Sequence, residues 1–465
     1  MSAALDAKVL AARAVGQIAR RAGRGGGTSL PGKVLTHLEP LAIARLAARL
    51  RLGTAVISAT NGKTTTAAMV ASVLRGSGVR LVHNHAGANM AGGVASSLLD
   101  AAGRGTAIAG ELGLFEIDEF WLDRVAPELA PRAMALSNLF RDQLDRYGEL
   151  DTIADRWAAL VGVLPKTRLA LNADDPLIAD LGRDRPGVTY FGVQDDSMAT
   201  AEMQHASDSK HCRRCGTAYV YDAVYLGHLG RYRCPHCGRD RPEPSVSAEA
   251  IELRGTREAR FDLRTPTGTA RVTLPLPGLY NVYNALAATT LCLELGADLP
   301  AIVAGLEAVS AAFGRAERID LGPVELSLLL IKNPAGANEV ARTLALEPGE
   351  LDVLGILNDR TADGRDVSWI WDADLELLAG RVRRVTCAGT RAAELAVRLK
   401  YAGVAPERLH VVPELAPALD AAVAAVGSGR LFALPTYTAL MDLRDELARR
   451  GHVAQFWSAD PAVTR

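Results

Sequence analysis

The apolar run TAVISA (residues 54–59) ends in ATNGKTTT (59–66), and a helical pattern starts at about Thr64 and stops at Gly76-Ser77-Gly78. A buried strand that turns through Gly-Lys-Thr into a helix start confines the chain to α/β architectures. The N–H groups of such a turn converge on one point and favour an anion there. Gly62 lets the backbone approach a phosphate, Lys63 supplies a point charge for β- and γ-phosphates, and the Thr64 hydroxyl suits Mg²⁺. The longer form of the motif, G-x-x-x-x-G-K-S/T, has a glycine five places before its second one; here that place is Ile57.

Strand-like and helix-like segments continue to alternate. TAIAGEL (106–112), RAMALSNLF (132–140) and RLALN (168–172) are short apolar runs that end in polar residues. That rhythm predicts a parallel sheet with its chemistry at the carboxyl ends of the strands. After an insert at about 205–245, residues 246–278 alternate apolar and polar as antiparallel strands do, and the helical NALAATTLCLELG follows. From about residue 320 a second alternation predicts a smaller α/β domain. The expected division is a helical segment 1–50, a central domain 51–318 and a C-terminal domain 319–465. A chain of 465 residues, 49% hydrophobic, can give two or three domains real cores.

Lys and Arg number 52 against 53 Asp and Glu, so no charge excess points to nucleic acid. No run of eighteen apolar residues is present to span a membrane. The N-terminal stretch carries Asp6 and Lys8 and lacks an apolar h-region, which excludes a secretory signal. Its basic helical pattern suits packing on its own domain or resting on anionic lipid.

Four further constellations lie near predicted strand or helix ends. Glu116 in FEIDEF (115–120) is placed to reach a metal, although acidic loops are commonly just solvated. Asn138, Asp142 and Asp145 cluster in SNLFRDQLDRYGELD, and LNADDP spans 171–176. Asn281 and Asn284 stand three apart at a helix start and so share a face; each alone is also compatible with capping. Cys212, Cys215, Cys234 and Cys237 form C-x₂-C-x₁₈-C-x₂-C, the spacing of a zinc ribbon with a structural Zn²⁺ in a closed tetrahedral S₄ site. His211, His228 and His236 fall outside that filled coordination sphere. An insert so small is expected to lack a core and to depend on the metal for its fold.

In order, TNGKTT, ExDE, an N…D pair, NADDP, GxxNxxNALAA and GRxER resemble the Mur ligases of peptidoglycan synthesis and their folylpolyglutamate synthase relatives. The resemblance implies a central P-loop ATPase domain built on a parallel sheet, with the zinc ribbon inserted and a smaller α/β domain after it. It implies ATP at Asn61, Gly62, Lys63, Thr64, Thr65, Asn281 and Asn284, with Arg315 near the γ-phosphate. Mg²⁺ falls to Thr64 and Glu116. The usual short loop is G-T-x-G-K-S/T, and here Ala59 replaces its first glycine. Gln143 in DQLD stands where the family has a metal-binding His. RWAALVG occupies the neighbourhood of a carbamylated lysine, so no second metal site of that kind is expected. Only about 55 residues precede the loop, too few for the family's separate N-terminal substrate domain.

The strings VHNHAGANMAGGVASSLL (82–99), IKNPAGANEV, LNDRTADGRDVSWIWDADLELL and LPTYTALMDLR are similar to one branch, the ligase subunits of lipid II isoglutaminyl synthase. That resemblance runs from about residue 28 to 460. It implies ATP-driven amidation of the α-carboxylate of D-glutamate in lipid II, through an acyl phosphate, on the cytoplasmic face of the membrane. Cys292 reads as a buried small hydrophobe and Cys387 ends an apolar strand, so neither is a glutaminase nucleophile. The ammonia is then expected from a partner, the class I glutamine amidotransferase subunit GatD. The resemblance assigns the third member of that partner's triad to Asp366, with Asp363 as fallback and Asp372 less favoured; without it, Asp366 reads as a cap or loop ion pair. Asn84, Asn89 and the KNPAGAN segment (332–338) are candidates for the acceptor site. The alternatives are a folylpolyglutamate-synthase-like ligase that adds an amino acid, and a non-catalytic nucleotide-binding scaffold.

Overall fold

The computed structural model describes residues 2–21, 29–84, 88–104, 107–142, 150–200, 203, 207–309 and 315–454. Gln143 and Asp145 lie outside them, as does the side chain of Arg315. Helices α1 (Ser2–Arg21), α2 (Leu30–Leu38) and α3 (Ala42–Ala47) lead into β1 (Thr54–Ser58) and α4 (Lys63–Gly76). Then come β2 (Leu81–His83), α5 (Ala91–Ala101), β3 (Leu112–Glu116), α6 (Leu122–Leu129), β4 (Ala133–Leu136) and α7 (Leu150–Val163). β5 (Arg168–Asn172), α8 (Pro176–Ala179) and β6 (Val188–Val193) follow, and then a hairpin of β7 (Val220–Leu226) and β8 (Leu229–Arg233). β9 (Val246–Arg254), β10 (Glu258–Thr265), β11 (Gly268–Leu274), α9 (Leu279–Leu295) and α10 (Leu299–Glu307) complete this half.

Among the described residues the first sheet has the order β11-β10-β9-β6-β5-β4-β1-β3-β2. β1 pairs in parallel with β3 and β4, and the sheet turns antiparallel only at β9-β10-β11. β1 is central and buried at all five positions. Its side chains alternate: Ala55 and Ile57 pack with Val70 and Leu286 on one side, Val56 with Leu46 and Leu98 on the other. A strand covered on both faces reads as an unbroken apolar run, which is why the sequence marks it clearly.

The strand expected over 106–112 is instead β3, LGLFE. Leu112 and Leu114 enter one core and Phe115 the other, whereas Gly103 and Ala107 close a turn, N–H to carbonyl, at 2.8 Å. Ala107, Ala109 and Gly110 offer little apolar surface to hold a central place. Glu116 therefore ends a strand rather than following one.

The second half builds its own sheet from β12 (Arg315–Asp320), β13 (Val324–Leu329), β14 (Leu351–Ile356), β15 (Val382–Ala388), β16 (Leu409–Val411) and β17 (Gly429–Pro435). Their order is β12-β13-β17-β14-β15-β16, parallel apart from β12. Helices α11 (Pro334–Ala345), α12 (Glu376–Ala379), α13 (Ala392–Tyr401), α14 (Leu415–Val426) and α15 (Tyr437–Arg449) cover it. α11 takes up most of the segment read as a KNPAGAN loop. Asn333 caps it, accepting from the Gly336 N–H at 2.9 Å, and Pro334 opens its first turn.

Helix α2 crosses α5 at close range. A Cβ on Gly32 would lie 2.0 Å from the Gly92 carbonyl oxygen and 2.6 Å from the Ser96 nitrogen. Gly32→Ala should therefore cost about 1–3 kcal/mol, seen as a lower urea midpoint with unchanged slope.

Candidate active site

The turn after β1 owes its shape to one close contact. Gly62 has φ of +91°, and a Cβ there would stand 2.0 Å from Oδ1 of Asn284, so backbone sterics and packing both require glycine. Asn284 donates to Asn281 Oδ1 at 3.0 Å, and Asn281 donates to the Pro277 carbonyl at 2.7 Å. The two asparagines thus hold the underside of the loop from α9. On the other side, Asn138 accepts from the Asn61 N–H at 2.9 Å and donates to the Asn61 carbonyl at 3.0 Å. Asn61, Gly62, Lys63, Thr64, Thr65, Asn281 and Asn284 all line one cavity of about 540 Å³.

Lys63 is buried, and its Nζ lies 2.7 Å from Glu119 Oε2 and also donates to the Ala59 carbonyl. Burial alone would lower its pKa, but Glu119 and Asp118 outweigh that and raise it. Burial would raise Glu119, and Lys63 and Lys332 reverse the sign, so Glu119 is held below the usual carboxylate range. Asp118 moves the other way, raised by burial and by Glu119 beside it. Glu119 is fixed from α7: the Trp157 indole N–H donates to its backbone carbonyl at 3.0 Å, and Arg156 grips Asp123 at 2.8 Å and the Phe120 carbonyl at 3.0 Å. The RWAALVG segment therefore anchors the acidic turn.

Asp118 and Glu119 line the cavity; Glu116 is buried behind it at the end of β3 and is not among the lining residues. Asn84 is buried too, its side chain bridging the Glu116 N–H at 2.9 Å and carbonyl at 2.8 Å. It does not line the cavity, contrary to the acceptor role suggested for it, whereas Asn89 does.

The second half closes the cavity through KNPAGAN. Lys332 Nζ lies 2.7 Å from Asp142 and donates to the Thr60 carbonyl at 3.3 Å. Asn333 and Asn61 exchange side-chain hydrogen bonds at 3.1 and 3.3 Å. Ala335, Gly336, Glu339, Thr361, Ala362 and Tyr437 complete that wall.

The four cysteines meet as their spacing predicts. Their sulfurs lie within 4.8 Å of one another, with Cys212–Cys237 at 3.6 Å and Cys215–Cys234 at 3.4 Å. That is the edge length of a tetrahedral S₄ site, so the cluster can hold a metal ion. Gly216 and Gly238, at φ of +73° and +70°, turn the two knuckles. The expectation that the insert lacks a core fails: Tyr219 and Tyr232 pack with Cys212, Cys234 and Ala179 of α8. Its hairpin is joined to the cavity, because Leu226 and Leu229 line it. His228 at the hairpin turn is buried against Asp175, 3.3 Å away, and its ring meets that of Phe140 at a tilt of 52°, centroids 4.7 Å apart. The clustered metal-ligand side chains are the four cysteines without it.

Residues 57–232 match the Mur ligase middle domain and residues 330–440 match the MurT ligase C-terminal domain. The Staphylococcus aureus (strain N315) lipid II isoglutaminyl synthase (glutamine-hydrolyzing) subunit MurT is 33% identical over 93% of this chain and 96% of its own length. The Streptococcus pneumoniae (strain ATCC BAA-255 / R6) protein of the same name is 33% identical over 95% and 96%. The chain belongs to the MurT family. The fold is shared more widely. A pseudomurein peptide ligase type C from Methanothermus fervidus superposes with a TM-score of 0.64 at 22% identity, covering 86% of this chain and 78% of that one. Mycobacterium tuberculosis folylpolyglutamate synthase superposes with 0.60 at 16%, covering 88% and 95%.

In this MurT-family chain the three aspartates considered for a triad differ sharply. Asp363 is buried and accepts from the Thr438 N–H at 2.7 Å and hydroxyl at 2.5 Å. Asp366 is exposed and accepts from the Ser368 N–H at 2.8 Å, which together with the Ser368 side chain holds its pKa low. Asp372 is half-buried. Cys292 and Cys387 are buried, and burial pushes both thiols up, Cys387 to about 12. Glu119 is the site residue that motif reading did not single out, whereas Lys332 and Asn333 belong to the KNPAGAN segment named for the acceptor site and here reach the phosphate loop. The doubled acids of IDEF and the Asn-Pro helix start were the available signals.

Two outcomes follow. Lys63→Met leaves Glu119 buried without its cation and should cost about 3–5 kcal/mol at pH 7. Glu119, no longer held low, then binds a proton more readily, so the deficit should shrink as pH falls from 7 to 5, read from urea midpoints. Double Cys212→Ser, Cys234→Ser should lose bound metal in elemental analysis and expose the ribbon hairpin to protease, because its tyrosine cluster surrounds those sulfurs.

Proposed function

We propose that this chain is the ligase subunit of a lipid II isoglutaminyl synthase, forming D-isoglutamine from the D-glutamate α-carboxylate of the stem peptide. The observation that carries this reading is the cavity in which the phosphate loop meets Lys332 and Asn333 of the C-terminal half, the part matched by the MurT domain. A carboxylate is a poor electrophile; ATP with Mg²⁺ would supply a phosphoryl group that turns it into an acyl phosphate with a good leaving group. Ammonia then forms the C–N bond and phosphate departs.

Lys63 and the loop N–H groups would hold the triphosphate. Thr64 and Glu116 are assigned to Mg²⁺, Asn281 and Asn284 to the nucleotide side, and Arg315 to the γ-phosphate. Asp118 and Glu119, which line the cavity where Glu116 lies behind it, join that acidic set. The Gly62 cradle, which a Cβ would fill, fits such a ligand. The sulfur cluster suits structural Zn²⁺, with four thiolates and no open position.

Buried Cys292 and Cys387 support an outside source of nitrogen, a class I glutamine amidotransferase subunit of the GatD kind. Asp366, exposed and ionised, is the carboxylate available to orient that partner's histidine; Asp363 is already engaged by Thr438. The folylpolyglutamate-synthase-like alternative shares the nucleotide half, and the MurT match of residues 330–440 speaks against it. With a lipid-linked substrate, the reaction would take place at the cytoplasmic membrane face.

The chain and a glutaminase from its own cell, given ATP, Mg²⁺ and lipid II, should form amidated lipid II from glutamine or from ammonium chloride. Asp366→Ala should lower the glutamine-driven rate about 10²-fold or more and spare the ammonium-driven rate. Lys63→Ala should abolish both. No amidation from either nitrogen source would overturn the reading.

A further inference from the structure

Helix α1 has two apolar faces. One packs on the body: Leu5, Val9 and Ala12 are buried with Leu35, and Gly16 abuts Pro31. The other faces outward. At 100° per residue, Ala7, Leu10, Ala11, Ala14, Val15 and Ile18 fall within an arc of about 140°. All six are exposed, Leu10 at 60% and Ile18 at 67%. The charged side chains described on α1 avoid this arc: Lys8 pairs with Glu39 at 2.9 Å, Asp6 lies near Arg49 at 3.8 Å, and Arg13 donates to the Leu99 carbonyl at 2.6 Å.

A helix that only packs on its domain needs one apolar stripe and a polar opposite face. The outer stripe of α1 is a second apolar surface turned to water. Its surroundings are basic: residues 2–21 contain Lys8, Arg13, Arg20 and Arg21 against Asp6 alone, and α1 ends on the arginine pair. No described helix is long and apolar enough to cross a membrane. An exposed apolar stripe on a helix of net positive charge that does not span suits the interface of an anionic bilayer.

We propose that α1 is an interfacial anchor whose outer face inserts Leu10, Val15 and Ile18 among the acyl chains of anionic phospholipids, while its inner face stays packed on the body. The proposed lipid-linked substrate gives this anchor its purpose, but the exposed apolar face of α1 stands independently of that reading.

The test uses the full chain and sucrose-loaded vesicles of phosphatidylcholine, with or without phosphatidylglycerol, and no substrate, nucleotide or partner. The wild type should cosediment with phosphatidylglycerol vesicles at least tenfold more strongly than with phosphatidylcholine alone, and less so in high salt. Joint Leu10→Glu and Ile18→Glu should weaken binding at least tenfold with an unchanged urea midpoint. Joint Arg20→Gln and Arg21→Gln should flatten the salt dependence. Wild type left in the supernatant, or glutamate variants that bind as wild type does, would overturn the proposal. So would a wild-type dimer that those glutamates dissolve without any vesicle binding. The vesicles contain no lipid II, so failure here leaves the amidation reading standing, and failure of amidation leaves this one standing.

Discussion

The buried pair of Lys63 and Glu119 organises the nucleotide end of the molecule. An ammonium group out of water needs a carboxylate and further acceptors around it, and Glu119 at 2.7 Å with the Ala59 and Thr60 carbonyls supplies them. Meeting that need fixes three separate elements. β1 and α4 must bring the lysine back over the strand end, the turn after β3 must stop at Glu119, and α7 must hold that turn through Trp157 and Arg156. The segment in which this chain departs from its wider family, RWAALVG, thus supports the acidic turn mechanically.

A second set of buried charges ties the ribbon to the same cavity. Asp174 accepts from the Val193 N–H at 2.9 Å and the Tyr283 hydroxyl at 2.6 Å, and pairs with Arg241 at 2.5 Å. Asp175 accepts from the Leu139 N–H at 2.9 Å, caps α8 through the Leu177 N–H at 2.9 Å and faces His228. Burial would pull the His228 pKa down, but Asp175 and Asp208 raise it. The NADDP motif is therefore a junction between β6, α9, the segment after β4 at Leu139 and the ribbon. The hairpin between the two cysteine knuckles brings Leu226 and Leu229 to the cavity.

Features whose signal is local were legible in the sequence. β1 reads as buried because both its faces are covered, Gly62 because its contact is one residue wide, and the ribbon because sulfur spacing encodes a tetrahedron. Features that depend on distant partners were hidden. The run around Ile108 mimics a strand, but pairing with β1 selects 112–116 instead. Glu116 and Glu119 carry the same chemistry in the sequence, and only the fold shows which one meets Lys63. Asn84 resembles a ligand-binding side chain, yet its amide completes the backbone at the end of β3. α11 hid behind Pro334 and Gly336, although Asn-Pro is itself a helix-start signal.

Hydrogen bonds run across the boundary between the two halves. Asn333 exchanges with Asn61, Lys332 pairs with Asp142, Arg342 donates to the Tyr225 carbonyl at 2.8 Å, and Glu347 accepts from the Thr256 N–H at 2.5 Å while pairing with Arg430 at 2.5 Å. These are polar contacts, of the kind common between domains of one chain. The first of them falls on the phosphate loop itself. A ligand on the loop would therefore lie beside the seam between the halves, and the half across that seam is the one that presents Asp366 to solvent.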